Sequence, residues 1–161
     1  IGAEVIAVET AQQMAEAVAA ALPVDATVFA AAVADWHVSS ASSSKIKKQN
    51  GALPVLEFAE NPDILATVSH MTSQRPGLVI GFAAETDDLL ANATAKRARK
   101  GCDWIVANDV SPETGIMGGS ENAVTLITAE GAENWPRTGK AQVAGQLADR
   151  IAQYFASDKD A

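Results

Sequence analysis

Leu78-Val79-Ile80-Gly81-Phe82-Ala83, a polar helical pattern over 87–100, a stop at Gly101 and then Asp103-Trp104-Ile105-Val106-Ala107 decide the fold. Two apolar runs of strand length flank a segment of helical composition. Neither run alternates with polar residues, so each reads as a strand covered on both faces, the mark of a parallel strand in an α/β sheet. Glycine readily takes the left-handed conformation that ends helices, so Gly101 places the helix stop. A parallel pair needs a long crossover, and the helix supplies it.

Working outward, Thr27-Val28-Phe29-Ala30-Ala31-Ala32-Val33 is another continuous apolar run and predicts a second buried strand. Residues 4–9 read as a strand. Thr10 caps a helix over 11–22, with Met14, Val18 and Ala21 at helical spacing, and Pro23 ends it. A polar loop covers 34–51, and 53–58 reads as a strand that Pro54 assigns to an edge. Asn61-Pro62-Asp63 predicts a helix start, with Asn61 as cap and Pro62 at the first helical position, running to about Met71. Downstream, 122–128 reads as a strand. Val143, Leu147, Ile151 and Phe155, four apart, predict an amphipathic helix over 140–155, and 157–161 reads as a frayed tail. Alternating strands and helices predict an α/β fold with a mostly parallel sheet and helices on both faces, as a single domain over 1–161.

Charge narrows the function. The chain has 161 residues, 12 Lys and Arg against 20 Asp and Glu, and a net charge of −8. Such an acidic chain is a poor general surface for nucleic acid or membrane. No apolar run is long enough to span a bilayer, and no secretory leader is expected. With the single Cys102, a cytoplasmic location is expected. Yet the cations gather in two places, Lys45-Ile46-Lys47-Lys48 and Lys96-Arg97-Ala98-Arg99-Lys100. Concentrated cations in an acidic chain point to a bound polyanion, and phosphates fit.

Ligands of parallel sheets bind beyond the carboxyl ends of the strands. That rule selects 32–48, 83–86 and 108–120. Asp35 follows the first strand and either contacts ligand or caps a turn. Lys45 lies in a serine-rich loop, which is either a solvated surface or a flap that closes over phosphate. The Asn61-Pro62-Asp63-Ile64 helix start offers free N–H groups to an anion, although most helix starts bind nothing. Lys96 and Lys100 share a helix face and form either a phosphate clamp or a complement to the helix dipole. Asn108 reads a base or ribose edge, or forms a turn. His37, His70 and Cys102 lack metal-ligand spacing. There is no G-x-G-x-x-G and no Walker A sequence, which opposes a dinucleotide oxidoreductase.

Six segments in order, Ala-Ala-Val-Ala-Asp-Trp (31–36), Lys-Ile-Lys-Lys (45–48), Asn-Pro-Asp-Ile (61–64), Gly-Phe-Ala-Ala-Glu-Thr (81–86), Lys-Arg-Ala-Arg-Lys (96–100) and Ala-Asn-Asp-Val (107–110), resemble bacterial phosphopantothenoylcysteine synthetase. The resemblance implies a Rossmann-like three-layer fold and a phosphopantothenate–cysteine ligase of coenzyme A biosynthesis. In that family 4′-phosphopantothenate is activated by CTP with Mg2+, then joined to cysteine. It further implies a homodimer and a fused decarboxylase domain, whose flavin has no place in this segment. For dimer pairing, 54–58 and 122–128 are the edge-strand candidates.

By the same resemblance, Lys45 is the catalytic flap lysine. The nucleotide contacts fall on Phe29, Ala30, Ala31, Asp35, Lys45, Pro62, Asp63, Ile64, Leu65, Phe82, Lys96, Lys100 and Asn108. Ala31, Ala32 and Asp35 face the pantothenate portion, and metal ligands are not assigned. The family pattern opens with an earlier βαβ unit that these residues do not match, and His37 stands where arginine is expected. The competing expectation is therefore a nucleotide-binding or dimerisation module without turnover of its own. Cys102 does not match the decarboxylase cysteine.

Overall fold

The computed structural model describes residues 2–39, 56–116 and 118–157. The chain divides into two compact units, one of Ile1–Ala21 with Ala32–Ile64, the other of Leu22–Ala31 with Leu65–Ala161.

The second unit is organised by the strand pair read first. Nine strands, β1 to β9, and four α-helices, α1 to α4, are numbered along the described chain. The main sheet has the order β1 (Ala26–Phe29), β4 (Leu78–Glu85), β5 (Trp104–Asp109), β7 (Val124–Ile127), β8 (Ala132–Asn134). β1, β4 and β5 are parallel, β7 runs against β5, and β8 runs against β7. Four of the five strands therefore point the same way. The crossover between β4 and β5 is α3 (Leu89–Lys100), closed by Gly101 at φ 69°, whose N–H donates to the Arg97 carbonyl. That stop is where the sequence put it.

Side-chain alternation sorts the sheet into two faces. Leu78, Ile80, Trp104, Val106, Val124 and Leu126 form one core with Trp135 and with Val143 and Leu147 of α4 (Lys140–Ser157). Ile151 and Phe155 pack against the same core, so the predicted stripe of the last helix faces the sheet. The other face carries Val79, Gly81, Ile105 and Ala107, all buried. Leu65 of α2 (Ile64–Ser69) lies directly over Gly81: a Cβ there would sit 2.6 Å from Leu65 Cδ2 and 2.9 Å from Ile105 Cδ1. Parallel crossovers are right-handed, and β1 to β4 to β5 advance in one direction, so α3 shares the α2 face. Helices, sheet and helix make the three layers of a Rossmann-like α/β fold.

The structure departs from several of the expected strands. The run 27–33 is a strand only over Ala26–Phe29. Among the described residues it lies at the sheet edge with one neighbour, and Val28 is exposed rather than covered twice. The interval 122–128 is an inner strand with neighbours on both sides, so it is not an edge available to a second chain; a short separate pair joins β6 (Glu121–Asn122) to β9 (Thr138–Gly139).

In the first unit, α1 (Ala11–Ala21) forms as predicted, and Thr10 Oγ1 accepts the Gln13 N–H at 3.1 Å. Residues 4–9 form no strand, because they join no ladder among the described residues; Val5 and Ile6 are exposed. The segment read as pure loop contains β2 (Trp36–Val38), paired antiparallel with β3 (Phe58–Glu60). The structure keeps the strand reading of 53–58 only at Phe58, and residues 53–55 lie outside the described residues.

Candidate functional site

In the first unit, two distant segments are tied together by Asn61. Its backbone N–H donates to the Asp35 carbonyl at 2.8 Å, and its Nδ2 donates to the Ala34 carbonyl at 2.8 Å. Asn61 was expected to cap a helix. Instead α2 begins only at Ile64, so Pro62 is not the first helical residue, and Asn61 joins Asp35-Trp36 to Asn61-Pro62-Asp63. The sequence signal was the Asn-Pro pair itself. What it could not show was the partner, 27 residues away. Asp35 is exposed, as are Ala32 and Asp63, while Pro62 is half-buried.

In the second unit, the ladder from β1 to β4 ends at Phe29↔Gly81, whereas β4 continues beside β5 to Glu85↔Asp109. Among the described residues, the β1-side edge of β4 over 82–85 is thus left without strand pairing, just where Ala30 and Ala31 leave the sheet. Ligands of α/β sheets bind beyond the carboxyl ends of their strands. Both alanines are exposed, and their small side chains leave the backbone approachable.

The remaining expected residues are not brought together. Phe82 lies on the α4 side, its ring packed against that core, and Asn108, two residues beyond Val106 in β5, shares the face. Phe29 pairs with Gly81 and so faces the other way, as Leu65 does from above. Lys96 and Lys100 ride the last two turns of α3, on the α2 face and towards the strands' amino ends, where Gly101 leads into β5. The basic helix end is therefore separated from the carboxyl strand ends that the rule for parallel sheets selects. A crossover helix runs opposite to its strands, so cations in its last turn sit at the far end. Lys45 lies outside the described residues.

Beyond β5, Asp109 closes a turn: its Oδ1 accepts the Ser111 N–H at 2.8 Å. Hydrogen bonds from the Ser111 side chain and backbone hold its carboxyl below the usual range. Burial pushes the Cys102 thiol up, which keeps it protonated and suits a packing role. Among the described residues no three His, Cys, Asp or Glu are grouped to hold a metal, and no helix is long and apolar enough to cross a membrane.

Residues 1–155 match the family model for the DNA/pantothenate metabolism flavoprotein C-terminal domain. The chain belongs to this family. It is 41% identical over 133 residues to the coenzyme A biosynthesis bifunctional protein CoaBC of Vibrio parahaemolyticus, covering 81% of this chain and 33% of that protein. The chain thus spans about a third of the length of this curated relative. The crystal structure of the C-terminal domain of a CoaBC protein superposes with a TM-score of 0.70 at 32% identity, over 93% of this chain and 65% of that one. A Cab2 mutant in complex with phosphopantothenate-cysteine shares the fold, with a TM-score of 0.55 and 19% identity over 80% of this chain and 44% of that one.

Proposed function

We propose that residues 1–161 are the CTP-binding part of a phosphopantothenate–cysteine ligase domain in coenzyme A biosynthesis. The observation that carries this reading is the Asn61 tether, which joins two segments of the family motif series at Asp35. Family membership and the CoaBC relatives support it, and the Cab2 complex supplies the chemistry of the product.

The reaction has two steps. A carboxylate oxygen of 4′-phosphopantothenate attacks the α-phosphorus of CTP; the bond to the β-phosphate oxygen breaks and pyrophosphate leaves. The cysteine amine then attacks the acyl-cytidylate carbonyl, CMP departs with the C–O bonding pair, and the amine proton passes to solvent or base. The first step builds charge on pyrophosphate, so a cation held there lowers the barrier. We assign that task to Lys45. Mg2+ enters with the triphosphate as part of the substrate, since this ion keeps phosphate and water ligands.

From the first unit we assign Asp35, Pro62, Asp63 and Ile64 to the nucleotide, and Ala32 with Asp35 to the pantothenate portion. From the second we assign Phe29, Ala30, Ala31, Leu65, Phe82, Lys96, Lys100 and Asn108, with Ala31 also facing pantothenate. The unpaired edge of β4 favours base reading by backbone groups near Phe82, whose ring belongs to the core. Further, we propose a cytoplasmic homodimer joined through the β2–β3 ribbon, where Trp36, Leu56 and Phe58 are exposed together. A fused decarboxylase domain accords with the longer relatives.

Lys45→Gln tests the catalytic assignment. CTP-dependent pyrophosphate release should slow about 100-fold, as when one group stabilising the transition state is lost, with the thermal midpoint unchanged. An unchanged rate refutes the role.

A further inference from the structure

Four cations close α3: Lys96, Arg97, Arg99 and Lys100. Arg97 is engaged within the fold: its Nε donates to the Asp103 backbone carbonyl at 2.7 Å, and its own carbonyl accepts the Gly101 N–H at 2.9 Å. Asp103 is itself anchored. Its carboxylate receives Arg75 Nη2 at 3.1 and 3.0 Å and the Val79 N–H at 2.7 Å, while its N–H donates to the Val79 carbonyl at 2.9 Å. Arg75 is fixed in turn, through Nε to the Ser69 carbonyl at 2.8 Å and Nη1 to the Pro76 carbonyl at 3.0 Å. The helix end is thereby bolted to the starts of β4 and β5.

Arg97 comes one turn after Ala93, which is fully buried, so it continues the sheet-facing stripe. Lys96 and Lys100 are four apart and lie together on one side of that stripe. The last turn of a helix has carbonyls without intrahelical partners and frays readily. A slip of one residue there would swing both lysines by about 100°.

We infer that Arg97 is a positioning residue: its bond to the Asp103 carbonyl fixes the rotation of the last α3 turn and so aims Lys96 and Lys100 at the nucleotide. This rests on the assignment of those two lysines to CTP. Arg97 itself makes no contact with substrate in this role.

The test is steady-state pyrophosphate release by the intact protein with CTP varied. Arg97→Met keeps the aliphatic stem and removes the donors. It should raise KM for CTP about fivefold to tenfold, with kcat within about twofold. Arg97→Lys restores a donor and should recover most of the loss. In a Lys96→Ala, Lys100→Ala background, Arg97→Met should raise KM no further, because its effect passes through those lysines. A lowered thermal midpoint with unchanged KM, assayed where the variant is folded, overturns the inference. So does a KM increase that multiplies with that of the lysine variant. If the lysine variant alone leaves KM unchanged, the nucleotide assignment falls first and the positioning role with it.

Discussion

The β4–β5 pair and the β2–β3 ribbon carry similar apolar residues and treat them in opposite ways. Leu78, Val79, Ile80, Ile105 and Val106 are all at 0% exposure, with strands on each side and helices on both faces. Trp36 and Phe58 stand 57% and 65% exposed on a ribbon of two strands. Burial of a large apolar side chain contributes roughly 1.5–3 kcal/mol, so the first region holds the fold. The second holds apolar surface that nothing among the described residues covers. The difference teaches where this chain keeps its stability and where, among the described residues, it leaves apolar surface open.

The sharpest way to break that comparison is to injure each region in turn. Leu126→Ala empties a fully buried position in the sheet core and should cost about 2–5 kcal/mol. Gly81→Ala forces a Cβ against Leu65 and Ile105 and should cost about 1–3 kcal/mol. Urea unfolding measures both; a loss under about 0.5 kcal/mol at either site would mean the core is not packed as described. Trp36→Ser with Phe58→Ser should change stability by only about 0.5 kcal/mol while shifting sedimentation from dimer to monomer. A dimer that persists removes the ribbon from the interface.

The contrast also explains what the sequence could reveal. Continuous apolar runs report burial, so 78–83, 103–107 and the Val143-Leu147-Ile151-Phe155 stripe were legible. The run 27–33 misled because it is apolar without being covered: the β1 ladder stops at Phe29. Ala30 and Ala31 came only from the family resemblance, whereas the strand-end rule selected Asn108, near the end of β5. It could not place Lys96 and Lys100, because charge clustering carries no information on which end of the sheet a helix finishes. Nor could spacing show that Asn61 reaches Ala34, or that Arg97 grips Asp103, since both bonds end on backbone carbonyls.

The smallest expected effect lies in the turn after β5. Asp109 has a lowered pKa in the folded protein because Ser111 hydrogen-bonds its carboxylate. The ionised form therefore favours folding above the unfolded carboxylate pKa, and that contribution is lost as pH falls through the folded value. Ser111→Ala should raise the Asp109 pKa towards the ordinary range in an NMR titration; an unmoved value would assign the shift to another cause.

The most direct measurement follows CTP labelled at the α-phosphate, with Mg2+ and 4′-phosphopantothenate, first without and then with cysteine. The ligase reading predicts a labelled acyl-cytidylate that persists until cysteine is added, then labelled CMP in step with 4′-phosphopantothenoylcysteine. CTP binding by the folded protein with no acyl-cytidylate, or CMP formed without phosphopantothenate, would contradict it.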